Sequence, residues 1–161
     1  MIGNESLEHQ HAVFMKRALD LSVHAVEHGF GRPFGSLVVR GDSILGEGWN
    51  REKELKDPSA HAEVVAIRDA FQKTHGNLKG ATIFASAQPC PMCLSLIYLT
   101  GIEKVYYCIP GRDISALAPE LAVEHIYNAL SAPRGSRPVP EIRISAGEAS
   151  AFIDRYKTLD W

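Results

Sequence analysis

The sequence predicts an α/β sandwich, with helices on both faces of one mixed sheet. Two observations carry that expectation. A long helical pattern is followed by a strand hairpin, and helices and strands then alternate to the end, with no internal repeat or low-complexity tract. Crossovers through helices imply parallel pairing among the later strands, beside one antiparallel hairpin. The expected architecture is a three-layer α/β/α sandwich around a mixed five-stranded sheet, in one domain over 1–161.

Each element has its own signal. Phe14, Ala18, Leu21 and Ala25 recur at helical spacing, so 5–29 reads as a helix that Gly29 can end. Gly31-Arg32-Pro33 is a break. The stretches 34–40 and 43–49 read as strands joined at Gly41-Asp42, a hairpin turn signal. The charged segment 50–59, which contains Pro58, reads as a loop. A helix over 60–74 follows, with Ser59 as its N-cap. Residues 81–85 form a short apolar strand, and 91–100 a helix with Pro91 at the favoured first position. Residues 104–109 read as the next strand, and 113–131 as a helix that Pro119 interrupts. A proline-rich loop over 132–140 leads to the fifth strand, 141–145, which alternates polar and apolar residues. A last helix over 149–156 precedes the tail.

Bulk properties narrow the function classes. At 161 residues the chain is the size of a single domain. A formal net charge of −2 does not favour a polyanionic partner. No apolar run is long enough to cross a membrane, and the polar first ten residues do not resemble a signal peptide. The three cysteines are Cys90, Cys93 and Cys108. An odd count without a secretory signal argues against a disulfide framework and for a reducing compartment, so the expected location is the cytoplasm. Cys108, in the run Val105-Tyr106-Tyr107-Cys108-Ile109, reads as a buried strand thiol rather than a ligand.

The chemistry lies in His61-Ala62-Glu63 and Pro89-Cys90-Pro91-Met92-Cys93. His61, Cys90 and Cys93 supply one imidazole and two thiolates, a set that holds zinc by three protein ligands and leaves its fourth position for water. Both motifs fall at expected helix starts. There, backbone N–H groups and the helix dipole favour the thiolate form. Glu63, two residues past the histidine, is not needed as a ligand and is placed to move protons. The expected cofactor is one Zn2+ per subunit. The order H-x-E … P-C-x-x-C resembles the signature of zinc-dependent base deaminases, which implies hydrolysis of C–NH2 to C=O with release of ammonia. A lone C-x-x-C can also be a redox pair, but the H-x-E upstream favours the metal reading.

With these motifs in place, the chain resembles the cytidine deaminase superfamily. The likeness runs through Pro33-Phe34-Gly35-Ser36-Leu37-Val38-Val39, Gly48-Trp49-Asn50, Asp57-Pro58-Ser59-Ala60-His61-Ala62-Glu63 and the Pro-Cys-Pro-Met-Cys segment. It implies a zinc-dependent aminohydrolase in which Glu63 is catalytic and Asn50, Phe34 and the backbone N–H of Ala62 meet the substrate. The branch it most resembles is that of bacterial guanine deaminases. That implies a small heterocyclic base as substrate, guanine to xanthine first, and a homodimer. It also implies that 147–161 forms an exchanged helix and tail, from which Trp161 caps the partner's pocket. The alternatives are a tRNA adenosine-to-inosine deaminase, or a deaminase of cytosine or a nucleoside. Residues 150–161 carry two basic and two acidic side chains, which does not favour tRNA. Gln88 and Leu99 depart from the branch pattern, where glutamate and tryptophan are usual.

Overall fold

The structure is a computed structural model that describes residues 2–117, 120, 122–144 and 154. The chain divides into two compact units, Met1–Glu124 and His125–Trp161. The first unit contains α1 (Ile2–Glu27), β1 (Gly35–Arg40), β2 (Ser43–Trp49), α2 (Glu52–Leu55), α3 (Ala62–Lys73), β3 (Thr82–Ala87), α4 (Pro91–Leu99), β4 (Lys104–Ile109) and α5 (Gly111–Leu117). α6 (Glu124–Ser131) begins at the boundary, and a 3-10 turn at Arg134–Ser136 follows it.

The sheet has four strands in the order β2-β1-β3-β4. β1 pairs antiparallel with both β2 and β3, and β3 pairs parallel with β4. Mixed pairing is therefore present, but among the described residues the fifth strand is not. Residues 141–144 form no ladder, and Ile142 and Ile144 stand 79% and 85% exposed. The alternation there is real, yet a strand needs a partner, and Pro138 and Pro140 remove two N–H donors just before it. The expected helix over 113–131 is broken, ending as α5 at Leu117 and resuming as α6 at Glu124. Most of the expected helix over 149–156, and Trp161, lie outside the described residues.

Strand β1 is buried on both sides because successive side chains point to opposite faces. Leu37 and Val39 join Phe14, Ala18 and Leu21 of α1 and Phe84 of β3 on one face. Val38 turns to the other, with Ala66, Ile67 and Ala70 of α3, Ile83 of β3 and Ile97 of α4. Each large aliphatic side chain so buried contributes about 1.5–3 kcal/mol of transfer free energy. Helix α1 ends where expected: Gly29 takes φ +67°, and the Phe30 N–H reaches back to the Ala25 carbonyl.

Two glycines of β2 let α3 lie directly on the sheet. A Cβ at Gly46 would stand 2.5 Å from the Ala66 carbonyl oxygen, and one at Gly48 would stand 2.3 Å from that of Ala62. The second contact fixes the first turn of α3, where the H-x-E motif lies. Ser59 does not cap this helix. Its N–H and hydroxyl instead bond Asp57 Oδ1 at 2.8 and 2.7 Å, and His61 is the N-cap residue, with extended backbone.

Candidate active site

Because β2 and β3 are each antiparallel to β1, they point the same way. The segments leaving them therefore start from one end of the sheet, and α3 and α4 both begin there. His61 is the N-cap residue of α3 and Cys90 that of α4, both with extended backbone, and Pro91 follows Cys90 at a position that needs no N–H. Cys93 lies one turn along α4 and is fully buried.

These three side chains converge. His61 Nδ1 stands 3.6 Å from Cys90 Sγ and 3.4 Å from Cys93 Sγ, and the two sulfurs are 3.5 Å apart. Tetrahedral zinc, at about 2.3 Å from sulfur and 2.0–2.1 Å from nitrogen, needs N···S near about 3.6 Å and S···S near about 3.8 Å. The observed triangle fits that ion within a few tenths of an ångström. Among the described residues, His61, Cys90 and Cys93 are the group of His, Cys, Asp or Glu able to hold a metal. Cys108 lies outside it. That thiol is exposed rather than buried as its apolar run suggests, because β4 is an edge strand; its Sγ stands 3.0 Å from the Ser86 carbonyl oxygen.

The electrostatics suit a cation. The neighbouring Cys93 thiol, with help from His61, holds the Cys90 thiol down at about 4 against the opposing effect of burial. The hydrogen bond to Cys90 and then burial push the Cys93 thiol up. Burial draws His61 down, but Cys90, Glu63 and Glu52 outweigh it and raise its pKa. Metal binding must displace such protons, so affinity rises with pH. Glu63, at the second position of α3, is 8% exposed, and burial raises its carboxyl above the ordinary range.

Asn50, just past β2, is 1% exposed. Its Oδ1 accepts the N–H of Arg32 at 3.0 Å and of Glu52 at 3.3 Å, and its Nδ2 donates to Glu52 Oε2 at 2.7 Å. Gly31 passes so close that a Cβ there would meet Asn50 Oδ1 at 1.9 Å. Phe34 is half-buried and joined to Asn50 through its backbone carbonyl, which accepts the Asn50 N–H. A cleft of about 480 Å³ opens beside this network, lined by Gly31, Arg32, Glu52, Lys53 and Pro58.

Residues 8–109 match the cytidine and deoxycytidylate deaminase zinc-binding region, a span that includes every residue of the metal group. The chain belongs to this deaminase family. It is 34% identical to the guanine deaminase of Bacillus subtilis over 139 residues, 86% of this chain and 88% of that protein. It is 37% identical to the tRNA-specific adenosine deaminase of Aquifex aeolicus over 144 residues, 89% of this chain and 91% of that one. The X-ray structure of the Bacillus subtilis guanine deaminase superposes with a TM-score of 0.86 at 31% identity, covering 93% of this chain and 95% of that one. A structure from work on tRNA:A34 deaminases superposes at 0.59 with 32% identity, covering 62% and 72%.

Within this zinc deaminase, the sequence-derived residues divide. His61, Cys90 and Cys93 meet; Glu63 and Ala62 are buried at the start of α3; Asn50 and Phe34 adjoin one another. Gln88 ties the end of β3 to the start of α5 by accepting the Gly111 N–H at 2.9 Å. Leu99 is 83% exposed at the end of α4. The residue that sequence reading missed is Glu52. It sits on α2, a single helical turn inside the expected loop, held where the Lys53 and Glu54 N–H groups bond the Phe30 carbonyl at 3.1 and 3.0 Å. A charged residue in a charged segment carries no signal that it points inward.

Proposed function

We propose that this chain deaminates a free nucleobase, guanine foremost, giving xanthine and ammonia. The observation that carries this reading is the likeness to the Bacillus subtilis guanine deaminase over nearly the full length of both chains. When bound at His61, Cys90 and Cys93, zinc would supply a water acidified far below its bulk value, toward about 7. Glu63 accepts a proton from the attacking water at its carboxylate and passes it to a ring nitrogen, then takes the second proton from the new C–OH as it becomes C=O and delivers it to the leaving amine, which departs as ammonia. The sum is C–NH2 plus H2O to C=O plus NH3. A buried carboxyl with a raised pKa suits a group that must both take and give a proton. The base is held by the second Nδ2 hydrogen of Asn50, which no described residue takes, and by Phe34. The Ala62 and Cys90 N–H groups at the two helix starts face developing negative charge.

The chain works as a cytoplasmic homodimer in this reading, with Trp161 of the exchanged tail closing the partner's pocket. Tyr98 and Leu99 on α4, 77% and 83% exposed, supply apolar surface for a second copy. The competing reading is adenosine deamination in tRNA, favoured by the identity to the Aquifex aeolicus enzyme. Its requirement for cationic surface is poorly met at a net charge of −2. Ammonia release from guanine, adenine, cytosine, nucleosides and pterins, beside inosine formation in tRNA, decides between them. Turnover of guanine far above the others is expected. Inosine formation with salt-sensitive tRNA binding, and no turnover of free bases, would reverse the ranking.

A further inference from the structure

We infer that Glu52 is a positioning residue that joins the metal ligand His61 to Asn50. Its two carboxylate oxygens face different partners. Oε2 accepts the Asn50 Nδ2–H at 2.7 Å, and Oε1 stands 3.9 Å from His61 Nε2. Because Nδ1 of His61 faces the two sulfurs, the ring proton belongs on Nε2, the atom that faces Glu52. A carboxylate there selects this tautomer, orients the ring and makes Nδ1 a better donor to zinc. At 3.9 Å the two atoms are in ion-pair range, and the carboxylate faces the nitrogen that carries the ring proton.

The position of Glu52 is built rather than incidental. Asn50 Oδ1 accepts the Glu52 N–H, so the residue that donates a hydrogen bond to the carboxylate also holds its backbone. Arg32 Nε lies 3.6 Å from Oε2 and balances the charge, while the carboxylate side chain itself is 19% exposed. One side chain thus spans two walls of the site. A change at Glu52 therefore acts on zinc and on the orientation of the Asn50 amide together. The effect on Asn50 rests on the reading that Asn50 holds the base; the effect on zinc does not.

The test is zinc competition against a chromophoric chelator, with no substrate present, on the full chain and on Glu52→Gln and Glu52→Ala. Glutamine keeps the shape but offers one acceptor oxygen where two donors, His61 Nε2–H and Asn50 Nδ2–H, need one each. Zinc affinity should fall about tenfold or more in both variants. The melting temperature of the zinc-free protein should stay unchanged in Glu52→Gln. Nitrogen-15 NMR of the zinc-loaded chain should show the His61 Nε2–H proton shifted upfield in Glu52→Gln. Affinity within twofold of the unaltered chain, an unmoved Nε2–H resonance, or a loss of affinity matched by loss of zinc-free stability would each overturn the inference. If no base is turned over by the unaltered chain, the zinc and NMR results still decide it.

Discussion

His61 Nδ1 lies 3.4 Å from Cys93 Sγ, although 32 residues separate them in the chain. α3 carries the chain away from the site and β3 returns it to the start of α4 on the same face of the sheet. Cys93→Ser should therefore keep the fold, since serine is nearly isosteric in this fully buried position, and lose most of the zinc. Metal analysis after dialysis is expected to fall from one zinc per chain to a small fraction. Full retention would count against Cys93 as a ligand. Chelation of the unaltered chain should also lower its melting temperature, because a ligand held at about 100 times its Kd adds about 2.7 kcal/mol to stability.

In the proposed mechanism Glu63 separates proton transfer from metal binding. It sits two residues past a zinc ligand and is buried, yet it is not a member of the metal group. Glu63→Gln preserves volume and hydrogen-bonding reach but cannot take up a proton. Turnover should drop by about 10²–10⁴-fold, the range expected for a lost general acid–base group, with zinc content unchanged. Initial rates of ammonia release beside metal analysis check it. A variant that kept ordinary turnover would remove Glu63 from the mechanism.

The metal group was legible in the sequence because its spacing is constrained by chemistry. Two cysteines three apart at a helix start reach one ion, and a histidine at a second helix start needs only a strand between them. β1, β2 and β3 were legible because burial on one or both faces imposes alternation or continuous apolar runs, and β4 because its Val-Tyr-Tyr-Cys-Ile run favours a strand even at an exposed edge. The fifth was not: Ile142 and Ile144 alternate, but alternation specifies a face and not a partner. Glu52 was illegible for a related reason. In Arg51-Glu52-Lys53-Glu54, the Arg51–Glu54 ion pair at 2.7 Å is a solvated surface contact, while the glutamate two residues earlier turns toward His61. Only tertiary contact separates the two.

Gly48 links the sheet to the site. A methyl there would stand 2.3 Å from both the Ala62 carbonyl oxygen and the Ala66 nitrogen, backbone atoms that cannot step aside singly. Gly48→Ala must push the first turns of α3 off β2, at a cost of about 1–3 kcal/mol or more. His61 and Glu63 belong to that turn, so zinc affinity should fall with stability. Gly135→Ala, which meets nothing within 4 Å, should change stability by less than about 0.5 kcal/mol. Denaturant unfolding at constant m-value measures both. Equal stability in the two variants would contradict the close packing of α3.

Arg17 and Glu47 join α1 to β2 through two parallel hydrogen bonds, Nε to Oε1 and Nη2 to Oε2, each 2.8 Å. Arg17 holds the Glu47 carboxyl below the usual carboxylate range, against the smaller opposing effect of burial. A group whose folded pKa is depressed stabilises the protein fully above its unfolded pKa, and loses that contribution as pH falls through the folded value. The pair should therefore contribute at neutral pH and fade below the ordinary carboxylate range. Its size is limited by solvent, since Arg17 and Glu47 are 47% and 28% exposed, so screening reduces it to about 0.5–1 kcal/mol. A double-mutant cycle with Arg17→Met and Glu47→Gln should give that coupling at pH 7 in low salt, a smaller one in high salt, and none once Glu47 is protonated. A coupling that persisted unchanged into acid would mean that packing between the side chains, rather than charge, holds α1 to the edge of the sheet.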